Sequence, residues 1–135
     1  MQDRYLFKAK RKDNCEWVFG GLSYCDKTGA YFITNMGKDH ISYIGFHQEV
    51  DSNTICQCTG LKDKNGRVIW ENDIMVAHLD EDYPEDETYI RILWCGNGFC
   101  SIENGSKDIA PIDKFDSEHF EVCGNIFDNP ELLEE

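Results

Sequence analysis

The sequence predicts a mainly β protein: an N-terminal β subdomain over residues 1–60, then a five-stranded, partly open barrel of the SH3 type over residues 61–135. Three observations predict it. Short aromatic or β-branched runs recur along the chain and are bounded by turn residues. No amphipathic helix stands out at a 3.6-residue period. A strong turn, Lys62-Asp63-Lys64-Asn65-Gly66, divides the chain where its charge changes, because Asn-Gly supplies the positive φ angles that tight reversals require.

In the first half, Tyr5 to Ala9 and Glu16 to Leu22 read as strands. Cys25-Asp26-Lys27-Thr28-Gly29 reads as a turn leading into a strand over Ala30 to Thr34. Asn35 to Asp39 is the next break, followed by the run His40 to Phe46 and a loop through Asp51-Ser52-Asn53. Thr54 to Thr59 alternates as an edge or half-buried strand would. Beyond the dividing turn, five strand candidates make the barrel: Asp73 to Leu79, Thr88 to Cys95, Phe99 to Glu103, Lys107 to Ile112, and Phe120 to Phe127. With Asn97-Gly98 as the two-residue turn of the hairpin Cys95-Gly96-Asn97-Gly98-Phe99-Cys100, Cys95 and Cys100 face each other, close enough to bridge or share a metal. The plainer reading is two packed thiols, since free Cys behaves as a small apolar residue.

Charge narrows the function. The 135 residues carry 13 basic and 26 acidic side chains, a net charge of −13. Residues 1–60 hold seven of each sign, so the whole excess lies in residues 61–135. Its densest run, Asp80-Glu81-Asp82-Tyr83-Pro84-Glu85-Asp86-Glu87, has six carboxylates in eight residues. At 41% apolar and 13% aromatic the chain has enough to close a core, so the acidity does not signal disorder. It argues against direct nucleic-acid binding and against anionic membrane surfaces, both of which are captured by clustered Lys and Arg. The start, MQDRYLFKAKRKD, has no secretory apolar core, which leaves a cytoplasmic location as the expectation.

Seven cysteines, an odd number without the spacing of a disulfide scaffold, point to reduced thiols or a metal site. Cys56-x-Cys58 puts two thiols on one strand face, and Cys15 and Cys25 belong to the same subdomain. Four thiolates would close a tetrahedral structural zinc site, so the candidate set is Cys15, Cys25, Cys56 and Cys58, with His40, His47 or the Cys95/Cys100 pair as replacements. No HExxH, GxxxxGK[ST], GxSxG or GxGxxG pattern occurs, and the acidic run lacks the EF-hand spacing. Catalysis therefore has no support in the sequence, and a non-enzyme is expected.

The stretch Gln57-Cys58-Thr59-Gly60-Leu61-Lys62-Asp63-Lys64-Asn65-Gly66-Arg67-Val68-Ile69-Trp70-Glu71-Asn72-Asp73-Ile74 resembles the hallmark of the YopX family of phage and prophage proteins, Q-[YF]-TGL-KDKNG followed by E-GDI. Val122-Cys123-Gly124-Asn125-Ile126-Phe127-Asp128-Asn129-Pro130-Glu131-Leu132-Leu133 is similar to the family's usual ending, and Ile92-Leu93-Trp94 and Phe99 match positions between. Cys58 stands where the family has an aromatic residue, and Asn72 where it has Gly. The resemblance implies a phage or prophage origin and a mainly β fold; it implies no reaction. The motif residues read as architecture: Gly60, Gly66 and Gly124 as turn or bulge glycines, Asp63 and Asn65 as turn formers, Trp70 and Trp94 as core.

A one-signed field steers association with basic surfaces. The expected partner is therefore a host protein with a basic nucleic-acid-binding surface, such as a CRISPR effector, which this chain would bind and inhibit. Asp80, Glu81, Asp82, Glu85, Asp86 and Glu87 are the expected contact residues, with Tyr83 and Tyr89 as aromatic anchors. The competing expectation is a phage assembly module whose barrel edges mediate homo-oligomerisation.

Overall fold

The computed structural model describes residues 6–35, 47–79, 82–83, 85–96 and 98–133. It is mainly β, and the chain divides into two compact units, Met1–Cys58 and Thr59–Glu135.

The first unit is built on β1 (Phe7–Lys10), β2 (Trp17–Cys25), β3 (Ala30–Asn35), β4 (His47–Val50) and the start of β5 (Cys56–Lys62). All pair antiparallel. Lys8 of β1 stands opposite Phe19 of β2 on one side and Cys56 of β5 on the other. Alternation divides β1 by face. Ala9 packs with Val18, Ile33 and Val50, and Phe7, Leu22, Tyr31 and Ile55 close that cluster. The ammonium groups of Lys8 and Lys10 lie 4.6 and 5.5 Å from the ring centre of Trp17, so the largely buried Lys8 packs its head against an aromatic face. Gly29, at φ 72°, closes the β2–β3 hairpin with its N–H donating to Cys25 O at 2.8 Å.

The second unit contains β6 (Val68–Trp70), β7 (Asp73–Ala77), β8 (Thr88–Trp94), β9 (Phe99–Glu103), β10 (Ile109–Pro111), α1 (Lys114–His119) and β11 (Glu121–Asn125). Two antiparallel sheets result, ordered β4-β3-β2-β1-β5-β6 and β10-β9-β8-β7-β11. In the second, the last strand returns beside the first, so β7 lies between two neighbours and is buried at all five positions. Met75, Ala77, Ile90, Ile92, Phe120 and Val122 form the core with Ile69, and Ile112 packs against it.

The five expected barrel strands are all present, but the sheet is not closed into a barrel: β10 and β11 are its two edges. Several local expectations are corrected. The β8–β9 hairpin does not take the register expected with Asn97-Gly98 as its turn: Trp94 pairs with Phe99, Leu93 pairs with Cys100, and Cys95 N–H donates to Gly98 O at 2.9 Å, so Cys95 and Cys100 do not stand opposite each other. Gly96, at φ 92°, supplies the first turn position. Trp94 is 48% exposed rather than core, sitting past the end of the packed row and edge-on to Phe99 at 5.0 Å. Strands β4 and β6 and helix α1 were not expected. The run His40 to Phe46 lies outside the described residues.

The helix is short and held by its ends. Asp113 accepts from Asp116 N–H at 3.0 Å while Asp116 accepts from Asp113 N–H at 3.3 Å, a reciprocal cap in which Asp replaces the usual Glu. Burial pushes the Asp116 carboxyl above the ordinary range. Ser117 Oγ donates to Lys62 O, tying the helix to the end of β5.

Candidate functional site

The acidic run forms the connection between β7 and β8. Asp80 and Glu81 lie outside the described residues; Asp82, Glu85, Asp86 and Glu87 are exposed. Tyr83 is 58% exposed, and its carbonyl accepts from Asp86 N–H at 2.9 Å. Where the run enters β8, Tyr89 donates its hydroxyl to Glu87 Oε2 at 3.0 Å, and this hydrogen bond to a carboxylate raises the phenol's pKa.

Register adds carboxylates that sequence proximity does not. At the end of the sheet where β7 gives way to β8, Val76 lies between Tyr89 and Glu121, and Tyr89 O accepts from Asn104 N–H at 2.9 Å. Glu103 pairs with Ile90, and Ile109, just after Asp108, pairs with Ile102. The β7–β8 connection, the β9–β10 connection and the start of β11 therefore share one end of an antiparallel sheet. Exposed Glu103 and Asp108 and half-buried Glu121 join the acidic run there. Asn65 Nδ2 donates to Glu121 Oε2 at 2.9 Å and fixes that carboxylate. Lys64 and Lys107 also belong to the connections at this end. Glu103, Asp108 and Glu121 escaped the sequence reading because only long-range pairing brings them to the run.

The four cysteines expected to share zinc are not brought together. Cys15, exposed and at φ 62°, precedes β2, and Cys25 ends that strand. A strand rises roughly 3.3 Å per residue, so the length of β2 separates the two thiols by about 25 Å, against Zn–S bonds of about 2.3 Å. Cys56 and Cys58 are both buried on one face of β5. Cys56 Sγ donates to Thr54 O at 3.3 Å. Hydrogen bonds from the Thr28 hydroxyl and the Thr28 and Lys27 N–H groups lower the pKa of Cys25. Of the replacements, His40 is outside the described residues, and His47 opens β4. Among the described residues no three His, Cys, Asp or Glu side chains gather to hold a metal ion. Zinc shared by these four cysteines is not expected: one equivalent by elemental analysis that is lost both in a Cys15→Ser/Cys25→Ser and in a Cys56→Ser/Cys58→Ser variant would overturn this.

The residues that carry the sequence resemblance do structural work. Asp63, only 6% exposed, accepts three backbone hydrogen bonds: Oδ1 from Asn65 and Arg67 at 2.9 and 2.8 Å, Oδ2 from Val122 at 2.9 Å. Asp73 caps the following turn by accepting from Trp70 N–H at 2.8 Å. Asn72, at φ 71°, occupies a left-handed position, a conformation Asn tolerates better than most residues. The β7–β11 pairing shifts register between Val122 and Gly124, so the expected bulge glycine stands beside a bulge. Asn125 Oδ1 accepts from the N–H groups of Phe127 and Asp128, both at 2.9 Å, and folds the chain that follows.

These features define a small antiparallel β protein whose C-terminal unit is acidic at one end of an open sheet. The YopX protein family profile matches residues 6–134, nearly the full length, and the chain belongs to the YopX family. A solved structure, described as the crystal structure of protein EF1440 from Enterococcus faecalis, is 26% identical and superposes with a TM-score of 0.55. That match covers 95% of this chain and 96% of the other. No curated protein matches the chain. Among the described residues no helix is long and apolar enough to cross a membrane.

Proposed function

We propose that this YopX-family chain is a non-enzymatic phage or prophage accessory protein that binds a host nucleic-acid-handling protein and inhibits it, most sharply a CRISPR effector. The observation that supports this reading is the acidic end of the C-terminal sheet. Asp82, Glu85, Asp86 and Glu87 stand exposed there with Glu103 at the end of β9 and Asp108 just before β10, spread over a surface rather than a single loop. Such an array competes for Lys and Arg that otherwise hold phosphates. Tyr83, more than half exposed within the run, offers an aromatic anchor at the centre of the charge.

Affinity capture from a bacterial lysate containing an active CRISPR system, with the bound proteins identified, tests the reading. A Glu85→Lys/Asp86→Lys/Glu87→Lys variant is expected to weaken capture at least about tenfold at low salt and to flatten its salt dependence. Unchanged affinity and salt slope would eliminate the electrostatic mechanism. A second reading, homo-oligomeric assembly, draws on β10, which ends its sheet with Ile109 54% exposed. Light scattering separates them: a stable closed oligomer that captures no host protein supports assembly.

A further inference from the structure

The end of the C-terminal sheet opposite the acidic surface holds a pair of thiols. In the β8–β9 hairpin, Cys95 stands across from Gly98 and Cys100 across from Leu93. Cys95 and Leu93 are two residues apart on one strand, so Cys95 and Cys100 project from the same face of the ladder as diagonal neighbours. Cys100 Sγ donates to Gly98 O, opposite Cys95, at 3.9 Å. The two sulfurs differ in access: Cys100 is only 8% exposed, and Cys95, just past the end of β8 at the turn, is partly open to solvent.

We infer that Cys95 and Cys100 form a reversible disulfide across the tip of the β8–β9 hairpin, made by exchange with a low-molecular-weight disulfide. Cys95, the accessible sulfur, loses its proton and attacks one sulfur of the small disulfide, whose other half leaves as a thiolate and takes up a proton. Cys100, deprotonated in turn, attacks the Cys95 sulfur of the mixed disulfide and expels the second half as a thiol. Two protein thiols are oxidised to one disulfide, and one small disulfide is reduced to two thiols. Diagonal neighbours stand roughly 7–8 Å apart, beyond the Cα separation of a relaxed disulfide, so closure requires backbone movement at the turn, where Gly96 permits it, and the strained bond is readily reducible. In the free dithiol the adjacent Cys100 thiol, with burial, holds the Cys95 thiol up at about 11, so the first attack quickens as the pH rises toward that value.

The full-length chain, reduced and then incubated natively with oxidised glutathione, provides the test. Arg91 and Lys107 bracket both cysteines, so a single tryptic peptide, Ile92 to Lys107, carries the readout. The expected product is that peptide lighter by about 2 Da with no glutathione attached, restored by dithiothreitol. Cys100→Ser is expected to stop at one glutathione on Cys95, and Cys95→Ser to leave Cys100 largely unmodified in the same time. A wild-type peptide carrying stable glutathione, or Cys95 and Cys100 recovered as separate alkylated thiols after exhaustive oxidation, would overturn the inference.

Discussion

Asp63→Ala is expected to remove about 3 kcal/mol from the stability of the C-terminal unit, measured as a lowered midpoint in urea unfolding followed by circular dichroism. The carboxylate is buried and its two oxygens satisfy three backbone N–H groups. Two of those donors, Asn65 and Arg67, shape the turn itself; the third, Val122, belongs to β11, 59 residues away in sequence. One side chain thus closes a local turn and pins a distant strand beside it. Removing it leaves a buried Val122 N–H without an acceptor, and that desolvated donor accounts for roughly half of the expected loss. Asp63→Asn keeps the shape of the side chain but directs an amide N–H₂ or loses an acceptor at one of the three bonds, so an intermediate loss of about 2 kcal/mol is expected. A loss below about 0.5 kcal/mol for the alanine variant would show that the clamp is not a stabilising element.

Gly124→Ala is expected to cost about 2 kcal/mol by overpacking. A Cβ at this position would come within 2.5 Å of Asn129 Oδ1, 2.7 Å of its Cγ and 2.9 Å of its Cβ. Rotating the Asn129 side chain cannot relieve the last of these contacts, because Cβ is fixed to the backbone. Displacing Asn129 also disturbs the acceptor for Asn125 N–H. In an Asn129→Gly background the same substitution is expected to be markedly less costly, and the coupling between the two changes, read from a double-mutant cycle in urea, tests the steric cause. Equal penalties in both backgrounds would place the cost elsewhere.

What the sequence revealed was what its local chemistry determines. Asn65-Gly66 marked its turn, and Gly66 takes φ 81° there. Phe99 to Glu103 was bounded correctly because a turn precedes it and Asn104-Gly105 follows. Two adjacent Gly-containing dipeptides defeated the same reasoning in the next hairpin: Gly96-Asn97 and Asn97-Gly98 are both plausible turns, and choosing between them moves Cys100 from opposite Cys95 to opposite Leu93. The helix escaped notice because six residues, including Asp116 and Ser117, offer no periodicity, although Asp113 and Asp116 at three-residue spacing carried a cap signal. The candidate site was only half legible. Its loop was visible as a charge run, whereas Glu103, Asp108 and Glu121 reach it through pairings that no local pattern encodes.

The return of β11 to the side of β7 has a kinetic consequence. The strands β7 to β10 form a meander in which each element meets the one before it through a short connection, but β11 must close a loop of more than forty residues to complete the sheet. Contacts of such separation slow folding, so the meander assembles first and the closing strand docks late. Until it does, the edge Asp73-Ile74-Met75-Val76-Ala77, buried in the finished fold, offers unpaired backbone and three large apolar side chains to any neighbouring chain. The same carboxylates that crowd one end of the sheet repel a second copy during that interval. Raising the salt concentration during refolding is therefore expected to increase losses to aggregation before it alters the stability of the folded protein, a cost of screening that falls on the unfinished sheet.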